Sequence, residues 1–237
     1  MSLTSKTQQH HASEHETKFV FRNVASRLLI QWLRARCQPD PEFPEGIISS
    51  IYYDTRDWRF LREKINSDYL KTKVRLRWYA DIDTEEPGDE SFLEAKYKIG
   101  GRRQKIRIRT DYSGKWLSGL SLEDERLREV SGLLLSKGAI IPSQLHPAFL
   151  IQYKRLRFVE PVTGARLSID CDICTPKINM RMIPRTNHFP LREAVFELKG
   201  RTMELPNVLH QLTALGCRKG SFSKYSACYQ NIMRIAF

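Results

Sequence analysis

The sequence predicts an α+β fold: an eight-stranded antiparallel β-barrel around a cationic tunnel, with helices covering its outer face. Three observations carry this expectation. Six stretches place Arg or Lys on alternate positions: Lys73, Arg75 and Arg77; Lys96 and Lys98 after Glu94; Arg103, Lys105, Arg107 and Arg109; Arg155 and Arg157 after Tyr153; Arg166 ahead of Ser168 and Asp170; and Lys199 after Glu197. Side chains in a strand alternate faces, so each stretch gathers charge on one face and apolar residues such as Val74, Leu76, Ile106 and Ile108 on the other. Gly100-Gly101 and Thr163-Gly164 stand between such runs as hairpin turns. Helical periodicity appears between the strands and supplies the cover that an outward apolar face needs.

The elements follow in chain order. ETKFVF is a short alternating strand. Val24, Leu28, Leu29, Trp32 and Leu33 recur at helical spacing up to Cys37, with Asn23 as the N-cap. QPDPEFPEG is a Pro-rich loop, GIISSIYYDT a strand and DTRDWRFLREK a helical turn. KVRLRWYA is the next strand, DIDTEEPGDE an acidic loop, and FLEAKYKIGGRRQKIRIRT a hairpin. LEDERLREVSGLLLSKG is a helix closed by Gly138. FLIQYKRLRFVEPVTGARLSIDCDI is a second hairpin and AVFELKG another strand. A helix is expected from Pro206 to Leu215, and a last one from Tyr225 to Ile235 with Ser223 as its cap. Residues 1–15 are polar and read as a disordered tail without the apolar segment of a secretory signal. Residues 16–237 read as one domain, with no repeat and no internal boundary.

Composition narrows the partners. Lys+Arg of 39 against Asp+Glu of 27 gives +12, which favours an anionic ligand. No run approaches the roughly 18 apolar residues of a membrane span. No nucleic-acid motif is present, and few aromatics interleave the basic strands at stacking spacing, which argues against nucleic acid. Five cysteines in irregular positions fit reduced thiols and a cytoplasmic location. Cys171 and Cys174 form one CxxC, but no second pair completes a zinc site, and in a strand the two point to opposite faces. The six histidines form no catalytic pattern.

Alternation alone leaves two arrangements open. Cations outward give an ordinary basic surface; cations inward give a tunnel. Glu94, Asp170 and Glu197 share faces with the cations. Carboxylates among inward cations suit a phosphate site with Mg²⁺ or Mn²⁺, whose ligands are carboxylate and phosphate oxygens. Against this, alternating charge on any one strand is usually a solvated face, Glu94 reads equally well as a salt-bridge partner, and Asp170, Tyr52, Tyr53 and Asp54 read as structural.

The ordered series TKF, SIYYDT, KVRLRWY, LEAKYK, KIRIR, QYKRLRF, RLSID, FELK and SFSKY resembles the vacuolar transporter chaperone (VTC) domain of the triphosphate tunnel metalloenzyme superfamily, from Glu16 to Tyr229. The resemblance implies an eight-stranded tunnel that, in catalytic members, makes polyphosphate from the γ-phosphate of ATP with a divalent metal, commonly Mn²⁺. It implies that Lys18 contacts phosphate and that Arg75 and Arg77 clamp the nucleotide phosphates. Lys96, Lys105 and Arg107 would line the tunnel, with Tyr153, Arg155 and Arg166 on the second hairpin. Glu197 would bind the metal beside Lys199, and Lys224 would be the last lysine of the closing motif. The chain departs from that motif at Ser221, where a lysine is expected, and Lys219 is the substitute. Together these imply a polyphosphate polymerase with Arg75, Arg77 and Lys224 catalytic, ATP and inorganic polyphosphate as partners, and Mn²⁺ or Mg²⁺ as cofactor. The alternatives are a triphosphate or short-polyphosphate hydrolase and a non-catalytic polyphosphate-binding module. Relatives attached to membrane assemblies imply a membrane-associated partner, although this chain contains no span of its own.

Overall fold

Eight long strands form, as the alternation requires. The computed structural model describes residues 15–100, 102–184, 189–202 and 204–233; the expected tail lies almost wholly outside them. The strands are β1 (His15–Arg22), β2 (Gln38–Pro39), β3 (Glu45–Asp54), β4 (Leu70–Ala80), β5 (Pro87–Ile99), β6 (Arg102–Thr110), β7 (His146–Val159), β8 (Arg166–Ile178), β9 (Glu193–Gly200) and β10 (Arg218–Lys219). They make one ten-stranded sheet in the order β10-β1-β9-β8-β7-β3-β4-β5-β6, with β2 paired to β7. β2 and β10 are two-residue additions to the eight long strands.

The sheet does not close into the expected barrel. β6 is one edge, and β10 occupies the free side of β1 through Phe19↔Lys219 and Val20↔Arg218. The backbone groups that closure would use on β1 are therefore engaged there. Side chains bridge the gap instead: Arg103 of β6 donates to Glu16 of β1 at 2.9 Å.

The helices are α1 (Ser26–Arg34), α2 (Arg59–Ile65), α3 (Gly114–Gly119), α4 (Arg126–Ser136) and α5 (Lys224–Met233). Asn23 does not cap α1; its side-chain amide exchanges hydrogen bonds with Asp172 of β8. The stretch expected as a helix near Pro206 is a 3₁₀ helix over Asn207–Thr213. Its buried Leu209 and Leu212 are three apart, the spacing that a 3₁₀ turn stacks on one face. α3 was not foreseen: six residues bounded by glycines show no period, and its start rests on Ser113 Oγ accepting from Trp116 N at 3.1 Å. The acidic loop is shorter than expected, because Asp81 Oδ1 accepts from Asp83 N and Thr84 N and turns the chain early into β5.

Three apolar clusters hold the fold. One packs β1, β7, β8 and β9 beneath α1 and the 3₁₀ helix, through Phe21, Leu29, Leu33, Phe196 and Leu212. A second packs β3, β4 and β5 beneath α3 and α4, through Val74, Leu76, Trp78, Leu93, Leu117 and Leu127. These cover the outer face as the pattern demands. The third is on the inner face, where Tyr225, Cys228 and Ile232 of α5 meet Phe149, Ile151, Ile173 and Val195. So α5 does not cover the sheet; it fills part of the hollow.

Candidate phosphate tunnel

The alternate positions point inward. Cross-strand register sets Tyr52 against Arg75 and Ser50 against Arg77 on β3–β4, Arg75 against Glu94 on β4–β5, and Glu94 against Arg107 on β5–β6. On the other wall it sets Arg155 against Asp170, Ser168 against Glu197 and Lys18 against Glu197. The outer apolar residues Val74, Leu76 and Leu93 are fully buried under helices, which leaves the charged set nowhere but the concave face.

Charges there are sorted into groups. Glu94, 2% exposed, accepts from Arg75 Nε at 2.8 Å and lies 2.9 Å from Lys105 Nζ and 3.6 Å from Arg107. Burial opposes its charge, but Arg75, Arg77 and Lys96 overcome that and hold its carboxyl well below the usual range. Asp170, wholly buried, accepts from Arg155 at 2.5 and 2.6 Å and from Lys224 Nζ at 2.5 Å. Glu197 lies 3.0 Å from Lys18 and 3.8 Å from Arg155; burial raises its pKa, and Lys224, Lys18 and Arg155 more than reverse that. Glu94 and Asp170 are thus ion-pair partners that fix the cations.

Arg77 differs. It is 6% exposed, yet among the described residues its partners are two neutral hydroxyls: it donates to Ser50 Oγ at 3.0 Å and to Tyr153 Oη at 3.3 Å. A guanidinium has five N–H donors, so the two hydroxyls use only some of them. Arg77 still helps hold Glu94 ionised through space, although no direct ion pair joins the two among the described residues. Arg75 is also held by Tyr52 Oη at 3.3 Å, and the Tyr52 ring stacks on Tyr225 at 5.1 Å. The Lys224 ammonium lies 4.7 Å from the centre of the Tyr153 ring.

The expected site residues fall as follows. Lys18, Arg75, Arg77, Lys96, Lys105, Arg107, Tyr153, Arg155, Glu197 and Lys224 come together around the lumen through the pairs above. Arg166 and Lys199 face each other at one end of β8–β9, and Lys199 also opposes Glu16. Lys219 is not brought in: it pairs with Phe19, on the sheet face opposite Lys18, and is exposed. Ser221 is exposed in the loop before α5. Sequence reasoning left Tyr52 and Asp170 as structural and passed over Ser50, Lys71 and Glu16. For Lys71 and Glu16 the signal was available in the period-2 register of KVRLR and ETKF, which they continue. The thiols of Cys37, Cys171 and Cys217 are pushed up by burial, to about 11, 12 and 11, and are inert packing groups.

Among the described residues no three His, Cys, Asp or Glu side chains gather as a ready-made metal cage. The donor chemistry still suits a hard cation. Glu16 and Glu197 flank one point, each 3.0 Å from Lys18 Nζ, and Mg²⁺-type ions take one or two carboxylates plus phosphate oxygens.

A curled antiparallel sheet whose concave face is lined by Arg and Lys defines a tunnel protein for phosphate polyanions. The VTC domain family matches residues 13–233, and the chain belongs to that polyphosphate-related family. Solved structures align with most of the chain, the first of them with a similar fold. One named "putative adenylate cyclase" from Bacillus halodurans has a TM-score of 0.51 at 15% identity, covering 89% of this chain and 93% of that one. Another so named, from Vibrio parahaemolyticus, has a TM-score of 0.44 at 10% identity, covering 88% and 94%. A chain of the Schizosaccharomyces pombe Mediator head module has a TM-score of 0.43 at 9% identity, covering 86% and 89%. Comparison with curated proteins found no match. Among the described residues no helix is long and apolar enough to cross a membrane.

Proposed function

We propose that this domain is a polyphosphate polymerase that transfers the γ-phosphate of ATP to the end of a polyphosphate chain. The observation that carries the reading is Arg77, a buried guanidinium held by hydroxyls and directed at the lumen. In the transfer, a terminal phosphate oxygen of the chain forms a bond to the γ-phosphorus. The bond from that phosphorus to the β–γ bridging oxygen breaks, and ADP leaves. Such a reaction needs positioning and charge neutralisation rather than a covalent protein intermediate. Arg77 and Arg75 fork onto phosphate oxygens and set their orientation, and Tyr52, Ser50 and Tyr153 hold both guanidiniums in place. Lys224 and Arg155, fixed by Asp170, neutralise charge on the opposite wall. Mn²⁺ or Mg²⁺ held by Glu197 and Glu16 would supply further neutralisation of phosphate oxygens.

The assay follows ADP, free phosphate and chain length together, with ATP and either metal. Glu197→Gln keeps shape and removes a carboxylate, so turnover falls at least about 100-fold while polyphosphate binding persists. Free phosphate without chain growth reassigns the domain as a hydrolase. One feature favours a second reading, a non-catalytic polyphosphate-binding module: Ser221 replaces a lysine, and Lys219 lies on the outer face. Tight polyphosphate binding without turnover of any triphosphate would establish that module.

A further inference from the structure

At one end of the sheet the apolar outer face runs out from under its helices. Tyr97 of β5 is 7% exposed in the cluster beneath α4, but Ile99, two residues on, is 44% exposed. Leu70 opposes Ile99 in register, and both alternate with Lys71 and Lys98 of the concave face, so they stand on the outer one. Tyr69, 74% exposed, joins them. Its carbonyl accepts from Gly100 N at 2.9 Å, and a Cβ on Gly100 would meet its ring at 2.7 Å, so ring and glycine are in contact. Ile65, exposed at the end of α2, leads into the same turn. Cations surround these side chains. Arg102 opposes Ile99, and Lys98 precedes it. Lys64 of α2 lies close by: burial, then the charges of Lys71, Lys18 and Lys98, lower its pKa. Among the described residues Lys64, Lys98 and Arg102 form no ion pair; the pairs nearby are Arg103 with Glu16 and Lys105 with Glu94. Asp68 is the one carboxylate of the turn, since Glu63 is buried and engaged by Arg59 and Thr72 N.

We propose that this tip docks the domain on an anionic lipid surface, with Tyr69, Leu70 and Ile99 entering the boundary between headgroups and acyl chains and Lys64, Lys98 and Arg102 meeting lipid phosphates. The inference stands apart from the reaction in the tunnel and does not depend on it. A contiguous exposed apolar patch ringed by polar residues marks an interaction surface. The residue types select the partner. A tyrosine ring is apolar in body and polar at its tip, which suits the headgroup level. Lys and Arg lay their stems along apolar surface while their charged ends reach phosphate. Charge complementarity commits the site to lipid: three cations without ion pairs stand against Asp68, and an acidic leaflet offers a continuous negative layer to all three at once. Apolar insertion and electrostatic attraction act together at such a site, and each alone is weaker. Docking places this end of β4, β5 and β6 against the bilayer.

The test is co-sedimentation with phosphatidylcholine vesicles with and without phosphatidylserine. The wild-type protein should bind the phosphatidylserine vesicles and leave the others unbound. Tyr69→Ser/Ile99→Ser keeps every charge, and its vesicle affinity should fall at least about tenfold while its melting temperature holds. Lys98→Gln/Arg102→Gln should weaken binding and flatten its salt dependence. Because the whole chain is basic, Arg27→Gln/Arg36→Gln on α1 is the control for net charge, and it should stay within about twofold of wild type. Tyr69→Trp reports insertion directly: emission beyond that of the unsubstituted protein should shift to the blue on vesicles and be quenched by brominated acyl chains. Unchanged binding in Tyr69→Ser/Ile99→Ser, or equal losses in the tip and α1 charge variants, would reduce the effect to a basic surface and overturn the proposal. A wild-type protein that binds neither kind of vesicle overturns it as well and leaves the tip as a contact for another protein.

Discussion

The two walls of the lumen carry the same kinds of residue and treat charge in opposite ways. On the β7–β8–β9 wall, Asp170 is wholly buried between Arg155 and Lys224, and Glu197 holds Lys18. Each of these buried carboxylates is held between cations, so the charges at the centre of this wall are locked in pairs. On the β4–β5–β6 wall, Glu94 is one carboxylate among Arg75, Arg107, Lys105, Lys96 and Lys73. The first wall pairs its central cations tightly; the second leaves several lysines without an ion pair among the described residues. Buried pairs lose stability when one partner is removed, whereas an excess of like charge is relieved by a ligand.

The largest effect should come from breaking the paired wall. Asp170→Asn leaves Arg155 and Lys224 buried without their partner, at a cost of about 3–5 kcal/mol. For a chain of this size that lowers the melting temperature by roughly 6–20 °C, and polyphosphate should not restore it. Glu94→Gln is the matched experiment on the other wall. Its cations Lys105 and Arg107 are each 35% exposed, so solvent and salt soften their part of the loss, while Arg75 is left buried without its partner. Polyphosphate should recover most of it, since the ligand supplies the missing negative charge. Equal rescue of both variants would erase the distinction between the walls.

A smaller effect is a pH dependence confined to the β4–β5–β6 wall. Arg75 first, then burial, Arg77 and Lys105 push Lys96 down to about 6 against the pull of Glu94. Desolvation, then Lys18, Arg75 and Lys64, push half-buried Lys73 down to about 8 against the pull of Tyr52. Both values lie below those of the unfolded chain, near 10.4, so the unfolded state binds more protons and this contribution to stability rises with pH from about 6 upward. A bound polyanion reverses the shifts. Binding should take up protons between pH 6 and 8, and affinity should rise as pH falls across that window. Titration calorimetry in buffers of different ionisation heat measures the uptake. Lys96→Arg, charged throughout, should show less; identical uptake in both proteins would exclude Lys96.

The eight long strands were legible because period-2 charge survives in KVRLR, KIRIR and YKRLR whatever the tertiary context. The inward sense of the cations was not, since alternation is symmetric between faces; it is decided by which face α1, α3 and α4 cover. The lack of closure was not legible for a similar reason. Arg218 and Lys219 carry no pattern, yet their two-residue pairing occupies β1. Arg75 and Arg77 were singled out by resemblance, but the hydroxyls that hold them were not legible. Ser50 and Tyr52 belong to a strand that is apolar on both faces, where a lumen hydroxyl is indistinguishable from a core one until register is known. The fate of α5 was hidden too, because a helix packing on the inner face has the same apolar period as one packing outside.

The smallest expected effect tests how the two walls are joined. α5 begins at Lys224, on the paired wall, and its next residue reaches the other. Tyr225 Oη donates to Asp54 Oδ2 at 2.7 Å, while its ring stacks on Tyr52, which in turn accepts from Arg75. Asp54 is itself buried and accepts from the backbone N–H groups of Thr55, Phe60 and Leu61, which ties the start of α2 to the same point. Burial raises the pKa of Asp54 despite these bonds, so a lost donor is felt directly. Tyr225→Phe removes one hydroxyl and keeps the stack. It should cost about 1.5–3 kcal/mol, the range for a hydrogen bond to a charged group. If the helix aims Lys224 and steadies Tyr52, the variant should also weaken tripolyphosphate binding a few-fold, and Tyr225→Leu, which loses the stack as well, should weaken it further. A stability loss in Tyr225→Phe with unchanged affinity in both variants would show that α5 braces the fold without aligning the two walls.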